Sequence, residues 1–197
     1  EFNEDYVDGQ TSHVIDMLFG DGQADVGGYA ARRPALAPPG TRFNYSSGTS
    51  NIVARILGDA LGGEDATRAF LRDRLFTPLG MRHAEPRFDD AGTFIGSSYV
   101  YAPAREFAKF GLLYLRGGVW EDQPLLPPSW VDHGRRQRSW DPVDQVGYGA
   151  HWWTVDDDLG TFRASGYEGQ MILLCPPLDL MVVRFEKTDP SHTPDLV

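Results

Sequence analysis

Cysteine and lysine are both scarce in this chain. A single cysteine, Cys175, occurs among 197 residues, and only two of the 18 cationic residues are lysines, Lys109 and Lys187. One thiol can neither close an internal disulfide nor build a cysteine-based metal site. Because Cys175 ends the apolar run Met171–Cys175, its context predicts a buried structural thiol rather than a nucleophile.

Further absences exclude classes of partner. No apolar run approaches the roughly 20 residues that span a membrane. The formal net charge is −10 and no basic patch is visible, which argues against a nucleic acid or an anionic membrane as partner. The histidines show no metal-binding spacing, and we expect no cofactor: His13, His83, His133, His151 and His192. The sequence leaves the compartment and the oligomeric state open.

The pattern of the chain changes from helical to extended. Up to about residue 140 it is mainly helix and loop, with helices predicted at 12–19, from Thr49 or Ser50 to Leu61, at 65–75, at 103–117 and from 127, and a loop over 21–39. From about 147 to 186, four extended segments are predicted, over 148–155, 161–165, 170–175 and 180–185. Helices followed by strands, with no β-α-β alternation, predict an α+β fold with an antiparallel meander.

The stretch Pro-Gly-Thr-Arg-Phe-Asn-Tyr-Ser-Ser-Gly at 39–48 is the most informative part of the chain. It places Tyr45 directly before an apolar helix. A phenol can shuttle a proton, but its ordinary pKa of about 10 is too high for a base at neutral pH, so a cationic neighbour would have to lower it. The residues alone also allow Tyr45 to be a core tyrosine and Ser47 to be a helix cap.

Two segments, 39–48 and Ala-Ser-Gly-Tyr-Glu-Gly-Gln at 164–170, resemble the serine β-lactamase-like superfamily. This superfamily includes class C β-lactamases, penicillin-binding DD-peptidases, family VIII esterases and 6-aminohexanoate-oligomer hydrolases. The resemblance spans essentially the whole chain, since Pro-Leu-Gly-Met at 78–81, Ala-Arg-Glu-Phe-Ala-Lys-Phe-Gly at 104–111 and Gly-Tyr-Gly at 147–149 occur in the same order. It implies a β-lactamase/transpeptidase-like fold and a serine hydrolase that cleaves a small ester or amide through an acyl-enzyme.

The resemblance also implies roles for individual residues. The family uses a Ser-x-x-Lys motif, a Tyr-x-Asn motif and a Lys-Thr-Gly or His-x-Gly motif. Tyr45 and Ser47 match the second motif, which implies that they are catalytic and that Tyr45 is the general base or acid. Tyr167 and Gly169 match the third as substrate-binding residues, and the backbone N–H of Gln170 would be an oxyanion donor.

Three departures from the family pattern matter. No Ser-x-x-Lys occurs, since Glu106 stands three residues before Lys109 and Arg184 three before Lys187. The family places this motif before the tyrosine, so we expect the serine and lysine to precede residue 1. The given chain would then be the C-terminal portion of a single domain and nearly inactive alone.

The other two departures concern the substrate. Ser47 replaces the family asparagine, and its hydroxyl has a shorter reach and fewer donors. Tyr167 replaces a cation, which weakens the grip on a substrate carboxylate and favours esters or amides that lack one. The alternative function is a non-catalytic binding or interaction module that keeps the cleft. In that reading Tyr167 is a turn aromatic, and Gly169 and Gln170 form a tight strand entry.

Overall fold

The computed structural model describes residues 2–5, 12–142 and 144–187, and its architecture is α+β. The fold class that the element order predicts is therefore confirmed. The chain divides into two compact units. The first comprises Glu1–Asp73 and Ala84–Tyr101, and the second comprises Arg74–His83 and Ala102–Val197.

The first unit is mainly helical. Its elements are α1 (His13–Phe19), α2 (Val26–Ala31), α3 (Ser47–Leu61), α4 (Glu64–Leu71) and an antiparallel pair, β1 (Glu85–Pro86) with β2 (Val100–Tyr101). Among its described residues, the core contains Val14, Met17, Val26, Tyr29, Ala30 and Ile95. A π-helical segment, Arg72–Phe76, follows α4 along the chain.

The second unit contains the sheet. Its helices are α5 (Thr77–Leu79), α6 (Ala104–Leu115) and α7 (Pro128–Arg135), and a small hairpin pairs β3 (Val119–Trp120) with β4 (Gln123–Pro124). In the part of this unit that the structure describes, antiparallel strands follow in sequence order: β5 (Ser139–Asp141), β6 (Val146–Tyr148), β7 (Trp153–Thr154), β8 (Phe162–Ser165), β9 (Met171–Cys175) and β10 (Leu180–Arg184). The core of this unit contains Trp152, Phe162, Ile172 and Leu174, with side chains of α6 packed against it.

The predicted meander is present, with two differences. The strand predicted over 148–155 is two strands, β6 and β7, because the chain turns between them at His151, which has a positive φ of 64°. The sheet also gains β5 at its edge. Cys175 is buried, as its apolar run predicts. Within the described residues, no helix combines the length and apolar character that crossing a bilayer requires.

Helix α2 lies inside the region that the sequence pattern predicts to be a loop. Its two glycines lower helix propensity, which is why the pattern fails to predict it. The helix is nevertheless well capped, because the Asp25 carboxylate accepts a hydrogen bond from the backbone N–H of Gly28 at 2.8 Å. The same carboxylate pairs with Arg55 of α3 at 2.6 Å.

Helix α3 begins earlier than the sequence predicts and buries a different face. Its N-cap is Ser46, whose Oγ accepts the N–H of Thr49 at 3.1 Å, so neither Thr49 nor Ser50 is the cap. Apolar residues of the helix are exposed, at 53% for Val53 and 62% for Ile56. The buried stripe consists of small and polar residues: Ser47, Gly48, Asn51, Ala54 and Gly58.

Close helix packing explains this choice of face. A Cβ added to Gly27 of α2 would lie 3.0 Å from the side chain of Arg55 and 3.2 Å from the carbonyl of Asn51. A side chain at position 27 would therefore require the facing residues of α3 to shift. The hydrophobic period correctly predicted the helix but not which of its faces is buried.

Candidate active site

Tyr45 lies in the extended segment that leads into α3. The whole residue is 41% exposed, whereas Ser47, the first residue of the helix, is 7% exposed. Ser46 separates the two and caps the helix, so the tight start of α3 fixes the backbone between the tyrosine and the serine. The two candidate residues of the second motif are thus separated by the N-cap residue of the helix, and their catalytic roles stay predictions.

The carboxylate of Glu4 contacts the start of α3. The backbone N–H of Ser47 donates to Glu4 Oε1 at 2.5 Å, and Ser47 Oγ donates to Glu4 Oε2 at 2.8 Å. A carboxylate at this position also interacts favourably with the positive end of the helix dipole. Sequence reasoning missed Glu4, because the contact joins residues 43 positions apart and no local pattern indicates it.

The environment shifts the pKa of both ionisable groups at this site. Burial raises the pKa of the Glu4 carboxyl, and the two hydrogen bonds from Ser47 offset part of that rise. Burial and the negative charge of Glu4 together raise the pKa of the Tyr45 hydroxyl. This direction is opposite to the one that base catalysis requires, so the described residues keep Tyr45 in its protonated, proton-donating form at neutral pH.

Two further polar residues, Asn51 and Ser97, join α3 to a segment later in the same unit. Asn51 is fully buried, one turn beyond Ser47. Its Nδ2 donates to Ser97 Oγ at 3.1 Å, and its Oδ1 accepts the N–H of Ser97 at 3.3 Å. Asn51 was not identified from the sequence. A buried amide needs hydrogen-bond partners, so an asparagine within a helix could have indicated a polar contact to another segment.

In the second unit, Tyr167–Gly169 forms a short 3₁₀ turn between β8 and β9. Tyr167 is 63% exposed. Glu168 and Gly169 both have positive φ, at 59° and 81°, and the N–H of Gly166 donates to the carbonyl of Gln170 at 2.7 Å to close the turn. The strand begins at Met171, one residue later than predicted.

The candidate oxyanion donor is engaged within this turn. The backbone N–H of Gln170 donates to the carbonyl of Tyr167 at 3.4 Å, which is at the long end of the hydrogen-bond range. The side-chain Nε2 of Gln170 donates to the same carbonyl at 3.2 Å. The oxyanion role of this N–H and the substrate-binding roles of Tyr167 and Gly169 stay predictions.

Two cations contact the turn at Tyr167–Gly169, where the third motif of this chain has a tyrosine in place of the family cation. Arg184 Nη1 donates to the carbonyl of Gly169 at 2.9 Å, and Lys187 Nζ lies 2.9 Å from a carboxylate oxygen of Glu168. The β9–β10 register pairs Arg184 with Met171. Counting back along the predicted hairpin could have found Arg184, because its connection at 176–179 fixes which residues face each other.

The other lysine, Lys109, makes a structural contact. Lys109 Nζ donates to the carbonyl of Gly80 at 2.5 Å, and Glu106, one turn before it on α6, accepts the backbone N–H groups of Arg82 and His83 at 3.1 and 3.0 Å. The Glu106 carboxylate and the Lys109 ammonium of α6 therefore hold the Pro-Leu-Gly-Met segment and the two residues after it. We call these contacts the anchor at Glu106. This contact gives a physical reason for the two family segments to occur together.

Glu106 is held as a carboxylate. It is 6% exposed and also contacts His83 Nδ1 at 2.8 Å. Burial by itself raises the pKa of the Glu106 carboxyl, but the hydrogen bonds from His83 and Arg82 outweigh burial and lower the pKa below its usual value. Within the described part of the chain, no group of three or more His, Cys, Asp or Glu side chains could hold a metal ion.

A family model described as Beta-lactamase matches residues 2–196, which is nearly the whole chain. This chain belongs to the beta-lactamase family. The catalytic roles of the candidate residues stay predictions. Tyr45 and Ser47 lie in the first unit, and Tyr167, Gly169 and Gln170 lie in the second.

Similar proteins include hydrolases. A 6-aminohexanoate-dimer hydrolase of Paenarthrobacter ureafaciens is 26% identical over 203 residues, covering 93% of this chain and 50% of the relative. A solved protein of Bacillus anthracis named after the same hydrolase has a TM-score of 0.74 at 24% identity, with 86% of this chain and 45% of that protein covered.

A more distant fold neighbour is the octameric penicillin-binding protein homologue of Pyrococcus abyssi. Its TM-score is 0.62 at 18% identity, and the match covers 91% of this chain and 48% of that one. The chain thus spans about half the length of each of these three relatives. Their fold supports the predicted β-lactamase/transpeptidase-like architecture.

Proposed function

We propose that this chain carries part of the active site of a serine hydrolase that cleaves a small ester or amide through an acyl-enzyme. The serine and lysine of the first motif come from residues outside these 197. The observation that carries the proposal is the Tyr-x-Ser segment, Tyr45 to Ser47, held at the start of α3 in a chain of the beta-lactamase family.

The serine from outside the chain attacks the substrate carbonyl carbon, and its hydroxyl proton passes to the uncharged amine of the lysine, since the phenol of Tyr45 already carries its own proton. Collapse of the tetrahedral intermediate breaks the bond to the leaving group, which takes a proton from Tyr45. Water then attacks the serine ester and gives a proton to the Tyr45 phenolate, and the serine oxygen leaves with the proton held by the lysine, which regenerates the enzyme. The raised pKa keeps Tyr45 protonated before the reaction, and the lysine ammonium formed in the first step would lower that pKa and so ease proton transfer to the leaving group.

The backbone N–H of Gln170 supplies one hydrogen bond to the oxyanion in this proposal. Its present bond to the Tyr167 carbonyl is long, at 3.4 Å, so exchanging it for a charged oxyanion costs little. Loss of one such donor typically slows a reaction about 10²–10³-fold. The substrate class rests on two supports. Tyr167 stands in place of the family cation, and the two cations at the turn are bound by its own acceptors, Arg184 by the Gly169 carbonyl and Lys187 by the Glu168 carboxylate. A relative is named a 6-aminohexanoate-dimer hydrolase, and two amino acids joined through their amino and carboxyl groups are linked by an amide.

The test compares the chain extended by its natural upstream coding region with the 197 residues alone. We expect the extended protein to hydrolyse members of a panel of uncharged esters and amides, and the shorter chain to be nearly inactive. Tyr45→Phe should lower kcat/KM about 10²–10⁴-fold, as expected for loss of a general acid–base group.

Tyr101→Phe is the matched control, because Tyr101 is 53% exposed in the same unit. It should leave kcat/KM unchanged. Turnover by the 197 residues alone, with contaminants excluded, would contradict the division of the active site. An extended protein that cleaves nothing in the panel would favour the binding-module alternative.

A further inference from the structure

The Ser47 hydroxyl has a fixed hydrogen-bond polarity. It carries one proton, and an ionised carboxylate has only acceptor oxygens. At 2.8 Å from Glu4 Oε2 the hydroxyl therefore donates that proton whenever Glu4 is a carboxylate. The other oxygen of Glu4 accepts the Ser47 backbone N–H. Two bonds to one carboxylate restrict rotation of the hydroxyl, and only its lone pairs are left for a further partner.

The segment that carries Glu4 is itself anchored. The Phe2 ring packs over Gly48, where an added Cβ would lie 2.6 Å from the ring. The N–H of Asn3 donates to His13 Nδ1 at 3.0 Å, and the Asn3 carbonyl accepts the N–H of Val14 at 3.1 Å. Contacts of the two residues that precede Glu4 therefore hold its carboxylate at the start of α3.

We propose that Glu4 is a positioning residue that commits Ser47 Oγ to accept hydrogen bonds, which favours substrates that present an N–H at this position. This inference rests on the proposed function. The family asparagine offers both donors and an acceptor at this place, whereas Ser47 bonded to Glu4 offers only an acceptor. An amide substrate supplies the N–H, but the ester oxygen in its place would set lone pair against lone pair.

The readout is the ratio of kcat/KM for a secondary amide to kcat/KM for the ester with the same acyl and leaving groups. It is measured on the protein extended by its natural upstream region. Glu4→Gln keeps the size of the side chain, but its amide N–H₂ can donate to Ser47 Oγ and free the hydroxyl proton. We expect the ratio to fall about threefold to tenfold, the worth of one ordinary hydrogen bond.

Asp5→Asn is the matched control. It removes one negative charge from the exposed neighbour of Glu4 and should leave the ratio unchanged. Glu4→Asp, which retains the charge with a shorter reach, should give an intermediate ratio. If Glu4→Gln slows the amide and the ester equally, Glu4 is merely structural and the inference is overturned.

A second measurement changes the substrate instead of the protein, so its result does not depend on whether a variant folds. The N-methylated amide has the same acyl group but lacks the N–H, so in the unmodified protein its kcat/KM relative to that of the ester should be lower than the ratio for the secondary amide. Equal ratios for the two amides would overturn the inference while leaving the hydrolase proposal intact. If the extended protein cleaves none of these substrates, both the proposed function and this inference are overturned.

Discussion

The two candidate regions are held in opposite ways. The start of α3, with Tyr45 and Ser47, is fixed by a carboxylate from 43 positions away in the chain. The turn at Tyr167–Gly169 is fixed by its own backbone, with two consecutive residues at positive φ and a closing bond from Gly166 to Gln170. The first region therefore depends on distant side chains, and the second depends on local conformation.

The difference predicts how each region responds to substitution. A contact between distant residues fails when either partner changes, and it leaves a desolvated polar group behind. A left-handed turn fails only when a residue that cannot adopt positive φ is introduced. The anchor at Glu106 belongs to the first kind, although it lies in the second unit.

The largest effect on stability is expected at Glu106. Glu106→Ala removes the acceptor of the Arg82 and His83 backbone N–H groups and should lower the free energy of unfolding by about 3 kcal/mol. Urea unfolding of the chain at pH 7 measures the change. Glu106→Gln keeps one acceptor and should lose less. A loss below about 0.5 kcal/mol for Glu106→Ala, as at an ordinary surface site, would contradict the anchor.

The same carboxylate gives a pH dependence. Because the pKa of Glu106 is lower in the folded chain than its ordinary value of 4.5, its contribution is fully present above pH 4.5 and is lost as pH falls through the folded pKa. The difference in unfolding free energy between Glu106→Gln and the unsubstituted chain should therefore shrink on acidification below pH 4.5. A difference that grows on acidification would mean that the pKa is raised instead.

A smaller effect is expected in the local turn. Gly169→Ala places a Cβ at a φ of 81° and should cost about 1–2 kcal/mol. Glu168→Gly is the matched control. It relieves a residue at a φ of 59° and removes an ion pair with the exposed Lys187, so the two effects nearly cancel. Thermal unfolding of both variants decides the matter. Equal losses in the two would show that the turn does not depend on positive φ.

The smallest effect is expected at the cap of α3. Ser46→Ala should cost about 1 kcal/mol, because the N–H of Thr49 loses its acceptor. Thr49→Ala should be neutral or slightly stabilising, since alanine is the better helix former. Urea unfolding of the pair distinguishes the observed cap from the one that the sequence pattern predicts. A larger loss for Thr49→Ala would reverse that assignment.

The sequence predicted the elements better than the contacts between them. Hydrophobic period and Pro or Gly boundaries found α1, α3, α6 and most of the sheet, because these signals are local. Helix α2 was missed since its glycines conceal it, and the exposed Val53 and Ile56 show that periodicity alone does not decide which face is buried.

The candidate site follows the same division. Tyr45 and Ser47 could be named because the motif that carries them is three residues long. Glu4 and Asn51 could not, since each acts through a partner more than 40 positions away. The position of Arg184 could have been predicted from the sequence, because the register of the β9–β10 hairpin places it opposite Met171.

The central claim is that Tyr45 serves a serine nucleophile supplied from outside these 197 residues. Intact-mass labelling with a fluorophosphonate probe, on the chain extended by its natural upstream region, tests it most directly. We expect one adduct, mapped to a serine followed three residues later by lysine, and its formation should be strongly slowed by Tyr45→Phe but not by Tyr101→Phe. An adduct that forms at the same rate in Tyr45→Phe, or an upstream region without Ser-x-x-Lys, would contradict the claim.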